Sequence, residues 1–432
     1  MPQSNALALA QKVMHRIGRL GQITEEPGRL TRTFLSSAMR QANRQVDEWM
    51  HGMNMLVRED NIGNVIGRYP AKDPNARVLL LGSHLDTVRN AGKFDGALGV
   101  VVALACVEKL AESRKRLPFH IDVVGFSDEE GVRYNVPYLG SRVLAGIFHN
   151  DQLSLQDGEG VTLADAIMKF GGDPRAFSAD RYSRDSLIGY CEAHIEQGPV
   201  LEAQNLSVGV VSAIAGQSRA LVDFVGRAGH AGSLPMNLRR DALCGAAEFI
   251  LKVESYARDH EGLVATVGTA KILPGASNVI PSQATASLDI RHAKDQARRK
   301  ACHELRRQAA AIARKRDLEF GWKIINENDA VQCSKSLTQL LIQACNNLSI
   351  PNARLHSGAG HDAAVMATIT DVAMLFVRNR EGISHHPDES VKVEDIAVAI
   401  SVMEEFIGLV AKRENRSRPR ARARQRPRPR RR

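Results

Sequence analysis

Val78-Leu79-Leu80-Leu81-Gly82-Ser83-His84-Leu85-Asp86-Thr87-Val88 is the stretch on which the fold turns. Residues 78–83 (VLLLGS) form a short apolar run of the kind found in a strand buried on both faces of a parallel sheet. A polar, histidine-bearing segment begins where that run ends. Downstream, residues 97–112 read as a helix with a broad apolar face, and 119–126 (FHIDVVGF) as a second buried strand. Strand alternating with helix predicts an α/β sheet covered on both sides. Residues 187–195 supply another strand-like stretch. From about Val208 the texture changes. Strands are predicted at 208–214, 219–226, 263–273, 284–291 and 319–325, with helices at about 238–258 and 294–316. This ββαββα-plus-strand order predicts a smaller α+β unit of ferredoxin-like character, inserted into the first domain. After Asp329 the chain returns to helix, strand and helix, ending on an amphipathic helix at 393–412.

Length and composition agree with two domains. The chain has 432 residues, 44% of them hydrophobic, which is more than one ordinary core needs. No apolar run reaches the 18 or so residues of a membrane span. The N-terminus reads as an amphipathic helix with no basic segment before it, so a signal peptide is not expected. Six cysteines stand at 106, 191, 244, 302, 333 and 345 with no CxxC pair. Buried, reduced thiols in a cytoplasmic protein are the expectation. The net charge of +10 is concentrated in the last residues. Lys412–Arg432 carries twelve Lys/Arg and one Glu, which leaves the rest of the chain close to neutral. The Arg/Pro-rich segment 413–432 is expected to be a disordered tail. Its charge allows electrostatic binding of nucleic acid, the one reading from a different functional class.

Five polar segments carry the chemistry. His84 stands where an apolar strand ends, and ligands collect at the carboxyl ends of parallel strands. A metal-bound imidazole needs its second nitrogen held by an acceptor, and Asp86 is placed to provide it. Asp95, in Gly92-Lys93-Phe94-Asp95-Gly96, can bridge two metals through its two oxygens, and the flanking glycines allow close backbone approach. Ser127-Asp128-Glu129-Glu130-Gly131 puts two glutamates at a strand end. Adjacent residues of an extended chain point apart, so one can bind metal while the other holds and deprotonates a water. Glu192-Ala193-His194-Ile195-Glu196-Gln197-Gly198-Pro199 and Gly382-Ile383-Ser384-His385-His386-Pro387-Asp388-Glu389 each add a histidine after an apolar strand. Spacing does not choose between His385 and His386. The donor set of carboxylates and imidazoles, with no thiolate, suits a pair of divalent ions, and zinc, manganese and cobalt all fit it.

In order along the chain, GSHLDTV, GKFDG, SDEEG, EAHIEQGP, GHAGS, SNVIPS, LDIRH and GISHHPDE resemble the M20 metallopeptidase clan. Within it they are most similar to the branch of N-carbamoyl-L-amino-acid hydrolases, allantoate amidohydrolases and β-ureidopropionases. The resemblance implies a dinuclear-metal catalytic domain with a central mixed sheet over 1–213 and 330–412, and an inserted dimerisation or lid domain over 214–329. It implies that His84, Asp95 and His194 hold one ion and that Asp95, Glu130 and His385 hold the other. Glu129 would be the general base and Asp86 the residue orienting His84. Gln197, His230, Asn278, Arg291, Gly358 and His361 would meet the substrate, and His230 would also be catalytic, reaching the reacting centre from the partner subunit of a homodimer. Ser233-Leu234 stands where the family often has two threonines, and SDEEG where three glutamates are frequent. The implied activity is hydrolysis of the ureido C–N bond of a small carboxylate, such as allantoate or an N-carbamoyl-L-amino acid. An aminopeptidase or dipeptidase of the same fold is the rival within the clan.

Overall fold

The computed structural model describes residues 2–417, so residues 418–432 of the expected tail lie outside the described residues. The helix Val393–Ser417 runs five residues beyond the predicted 412, so Arg413–Ser417 are helical, a correction to the expected start of the tail. An ion pair between Arg77 and Glu414 fastens this last turn.

The described residues divide into two units. The first takes the chain up to Ser212, Cys333–Leu355 and the residues from His361 onward; the second takes Ala213–Gln332 and His356–Gly360. The loop bearing Gly358 therefore groups with the inserted unit and not with the residues that follow it. A hydrogen bond from Arg291 Nη1 to the Gly358 carbonyl, 2.7 Å, fastens it there.

In the first unit, four parallel strands lie side by side in the order His120–Phe126, Val78–His84, Leu187–Ile195 and Val372–Val377. Antiparallel strands flank them, Val65–Tyr69 on one side and Val208–Ile214 on the other, so the sheet is mixed. Every residue of Val78–His84, His120–Phe126 and Leu187–Ile195 is buried. Strands covered on both faces read as continuous apolar runs because neither face meets water. Helix Ala97–Glu112 is buried from Ala97 through Val107. It packs on the sheet and against helices Pro2–Leu20 and Val393–Ser417. Leu79, Leu80 and Leu81 are wholly buried, and truncating any one to Ala costs about 2–5 kcal/mol.

The four parallel strands end at one edge of the sheet. His84, the Ser127–Glu130 segment, His194 and the loop after Val377 all follow from those ends. The topology thus gathers motifs that are up to 301 positions apart in sequence.

The second unit is an antiparallel sheet in the order Ala270–Leu273, Gln283–His292, Gly216–Val225 and Glu319–Asn328. Gly216–Val225 and Gln283–His292 alternate buried and less buried residues, the period of a one-sided sheet. Their inner residues pack on helices Ala242–Arg258 and Asp295–Lys315, with Val222, Phe224, Phe249, Leu288 and Leu305 in the core. The single strand expected at 263–273 is two, Val264–Thr266 and Ala270–Leu273, both pairing with Gln283–His292. The break falls at 267–269, around Gly268. The thiols of Cys106, Cys191, Cys333 and Cys345 are buried as expected, but Cys244 is exposed and Cys302 half-buried. None of the described helices is long and apolar enough to cross a membrane.

Candidate metal centre

Asp95 stands at the centre of the cluster. Its Oδ1 lies 3.6 Å from His84 Nε2 and 3.1 Å from His194 Nε2, while its Oδ2 lies 3.1 Å from His385 Nε2. Glu130 Oε1 is 3.5 Å from His385 Nε2. Two triads result, His84–Asp95–His194 and Asp95–Glu130–His385, each with its donor atoms within 4.8 Å of one another. One carboxylate is therefore shared, an oxygen to each side. His386 is not brought in: it is exposed, and its Nδ1 accepts a hydrogen bond from the Asp388 N–H.

The arrangement fits divalent cations. His194 Nδ1 faces the Ile195 carbonyl at 2.9 Å, which leaves Nε2 as the free donor atom. That Nε2 is fully buried and makes no hydrogen bond with any described residue, although Asp95 Oδ1 is 3.1 Å away. A ring nitrogen and a carboxylate oxygen that converge without bonding each other leave room for a shared third partner. Nitrogen and oxygen donors of this kind suit zinc, manganese or cobalt.

Asp86 faces the His84 ring with two acceptors. The ring Nδ1 lies 3.0 Å from the Asp86 backbone carbonyl and 3.4 Å from the Asp86 carboxylate. That carboxylate also accepts the N–H groups of Glu129 and Glu130, at 2.9 and 3.1 Å. Asp86 thus orients the imidazole with its backbone as well as its side chain, and docks the paired glutamates onto the same loop. Gly96 follows Asp95 with φ +64°, and a Cβ there would meet the His84 ring at 2.4 Å. Only glycine lets this turn pass the imidazole.

Gln197 donates to Asp95 Oδ2 at 3.0 Å and to Ser384 Oγ at 3.1 Å, and Ser384 donates to Asp95 Oδ2 at 2.9 Å. His361, expected in a substrate-facing loop, is 1% exposed. It lies edge-on to His194, with ring centroids 4.6 Å apart, so it backs the His194 ring and does not face solvent.

The remaining expected residues belong to the second unit. There the short Gly229–His230 and Val279–Ile280 strands pair, His230 opposite Val279, and the Ala231 N–H donates to the Asn278 carbonyl at 2.9 Å. His230 and Asn278 are therefore neighbours. The guanidinium of Arg291 forks onto Asp289, with Nε and Nη2 both 3.0 Å from its oxygens. Several supporting residues were not anticipated from sequence. Ser384 carries a donor to Asp95. Asn379 joins the Gln197 N–H to the Ile383 carbonyl. Glu192 accepts from Ser83 Oγ at 2.7 Å and from the Ala363 N–H at 3.2 Å. Ser384 and Glu192 lie inside quoted motifs, but nothing local marks them as partners of Asp95 or Ser83.

The electrostatics are those of a crowded, largely buried site. Burial works against a charged His84 ring, but Asp86 and Asp95 outweigh it and hold its pKa well above the ordinary imidazole range. Burial would likewise raise Asp95, yet the imidazoles of His194, His385 and His84 around it hold it well below the usual carboxylate value. Burial, with Glu130 and Asp362 nearby, keeps the Glu129 carboxyl well above that value. Glu130 is pushed up to about 7 by burial and by Asp95, and the Asp95 hydrogen bond lifts His385 to about 9.

A pH dependence of the metal-free protein follows. Folding raises the His385 pKa from 6.5 to about 9, so its contribution is full below 6.5 and is withdrawn as pH climbs through about 9. Folding also raises Glu130 from 4.5 to about 7, so the folded state loses ground as pH rises between those values. Both effects have the same sign. The melting temperature of chelator-treated protein is expected to fall from pH 5 to pH 9. Metal-replete protein should show a shallower slope, because the cations replace the protons. Equal slopes with and without chelator would count against a metal among these groups.

The model of the family described as peptidase family M20/M25/M40 matches residues 80–408. An N-carbamoyl-L-amino-acid amidohydrolase of Pseudomonas sp. (strain NS671) is 39% identical, over 91% of this chain and 96% of its own. An allantoate deiminase of Arabidopsis thaliana is 37% identical, over 92% of this chain and 82% of its own. Among solved structures, a hydantoinase/carbamoylase family amidase from Burkholderia ambifaria superposes with a TM-score of 0.87 at 29% identity, over 93% of this chain and 97% of that one.

Proposed function

The chain belongs to peptidase family M20/M25/M40, and from that premise we propose that it hydrolyses the ureido C–N bond of a small carboxylate substrate, an N-carbamoyl-L-amino acid or allantoate. The observation that carries this is the shared Asp95 carboxylate, with His84 and His194 on one oxygen and His385 on the other, beside a buried glutamate pair. The relatives that are similar over nine-tenths of the chain, an N-carbamoyl-L-amino-acid amidohydrolase and an allantoate deiminase, support the ureido reading over the peptidase one.

In this reading His84, Asp95 and His194 hold one divalent ion, and Asp95, Glu130 and His385 hold the second. When bound, such ions acidify a water molecule and polarise a carbonyl. Glu129 takes the proton released as the water oxygen adds to the ureido carbonyl. Burial suits it to that task, because a carboxyl held above its ordinary pKa binds a proton firmly enough to carry it. It then delivers the proton to the departing nitrogen as the C–N bond breaks. One water is consumed: ammonia leaves, and the carbamic acid that remains loses carbon dioxide to give the amino acid or ureidoglycine-type acid. Gln197 holds Asp95 through its amide N–H. His230, Asn278 and Arg291 form the substrate-binding set, with the guanidinium suited to a carboxylate. The enzyme works as a homodimer in the cytoplasm, with zinc, manganese or cobalt as its metal.

Ammonia release is the test. Metal-stripped protein is resupplied with Zn²⁺, Mn²⁺ or Co²⁺ and offered allantoate, a panel of N-carbamoyl-L-amino acids, and dipeptides. Turnover of a ureido acid with at least one metal is expected, with dipeptides left intact. Dipeptide cleavage without ammonia release from any ureido acid would replace this reading by the peptidase one.

A further inference from the structure

Glu389 ends the GISHHPDE motif and takes no part in either triad. It is 3% exposed. Its Oε1 accepts the backbone N–H of Phe94 at 2.7 Å and that of Asp95 at 3.1 Å, across 295 and 294 positions of sequence. Its own N–H donates to the His386 carbonyl at 3.0 Å, and the Arg380 N–H donates to the Ser390 carbonyl at 3.0 Å. The loop carrying His385 is thereby closed on itself. One side chain of that loop then reaches across to the two backbone N–H groups on either side of the Phe94 Cα. The fit is close: a Cβ on Gly92 would lie 2.4 Å from the Glu389 carboxylate. The glycine that opens GKFDG is thus the position at which the Asp95 loop seats on Glu389.

We infer that Glu389 is a positioning residue: its Oε1 fixes the backbone at Asp95, so that the shared carboxylate presents one oxygen to His84 and His194 and the other to His385. The inference rests on the metal-site reading above and adds a residue to it. Asp95 is the only member common to both triads, so a displacement of its backbone disturbs both. Glu389 also stands four residues from His385, which makes the placement of Asp95 and that of His385 a single geometric event. Outer partners of this kind orient the groups that bind a metal, and their loss costs about 10–100-fold in affinity. Oε2 of Glu389 is buried and has no partner among the described residues. The structure therefore uses the reach and the acceptor oxygen of this side chain at Oε1.

Two conservative variants separate reach from charge. Glu389→Gln keeps the length and one oxygen acceptor; Glu389→Asp keeps the charge but withdraws it by one methylene. Amide hydrogen exchange of the metal-free protein reads the contact directly, and Zn²⁺ titrated against a chromophoric chelator reads its consequence. In Glu389→Asp the Phe94 and Asp95 amides are expected to exchange at least about tenfold faster, and Zn²⁺ to bind about 10–100-fold more weakly. Glu389→Gln is expected to stay near wild type in both. The inference is overturned if Glu389→Asp leaves exchange and Zn²⁺ affinity unchanged, or if Glu389→Gln is impaired as much as Glu389→Asp. Wild-type protein that takes up no Zn²⁺ would refute the metal site itself, while the exchange data still decide whether Glu389 seats the Asp95 loop.

Discussion

Replacing Glu129 by Gln is expected to lower kcat about a thousandfold, within the 10²–10⁴ range of a lost general base, while leaving two ions bound per chain. That corresponds to about 4 kcal/mol of activation free energy. Gln has the shape of Glu and accepts hydrogen bonds, but it cannot take a proton. The backbone at 129 stays in place, because its N–H is held by Asp86 Oδ1 and does not depend on the side chain. The rival role is visible in the structure: Glu129 also lies within donor reach of His84 and Glu130. Metal content measured beside kcat separates the two roles. A base lost from an intact centre gives full metal and little turnover; a ligand lost gives both deficits together. Stability supplies a second check. The folded state holds the Glu129 carboxyl above its ordinary pKa through burial, a cost that grows as pH rises above 4.5. The metal-free Glu129→Gln protein should therefore melt higher than the metal-free wild type at pH 8, and no higher at pH 4.

The motifs of the candidate metal centre are legible because their chemistry is local. A short apolar run that stops at His84, or a pair of glutamates after FHIDVVGF, declares itself within a dozen residues. Parallel strands place such ends together, so a strand and the motif at its end point to the same site. What escaped was long-range or small. Strands Leu56–Glu59 and Val65–Tyr69, with helix Ser37–Gly52, carry no motif. The ties made by Glu389, Asn379 and Glu192 join loops or strands 109 to 295 positions apart. No periodicity reports such a pairing. Spacing leaves His385 and His386 open, and only the resemblance points to His385. Both are histidines in one polar turn, and in the structure the position of Asp95 across the sheet edge distinguishes them. For Arg291 the resemblance implies contact with the substrate, and in the structure its guanidinium is engaged by Asp289 two residues earlier on the same strand. A substrate carboxylate would have to compete with that aspartate or use Nη1, which now bonds the Gly358 carbonyl.

Asp95→Asn is expected to be the most damaging single change at this centre, although it alters no volume. The amide keeps one oxygen and replaces the other with an NH₂ group, which has no lone pair for a cation. Either triad loses its common member, so the bound metal should fall from two ions to at most one, with affinity reduced beyond the roughly 10–100-fold of an outer-partner loss. Turnover should fall at least as far as in Glu129→Gln. The same change removes the anion that faces three imidazoles. The raised pKa values of His84, His194 and His385 each draw on Asp95, so all three rings should titrate lower in metal-free Asp95→Asn than in metal-free wild type. NMR titration of the histidine ring protons measures this without any metal or substrate. Between pH 7 and 9 the variant should therefore lose less stability than the wild type, because fewer imidazolium ions remain to be neutralised. If Asp95→Asn retained two ions, or left the three imidazoles titrating as before, then Asp95 would not be the bridge, and a second carboxylate of the cluster, Glu130 or Glu129, would have to take that position.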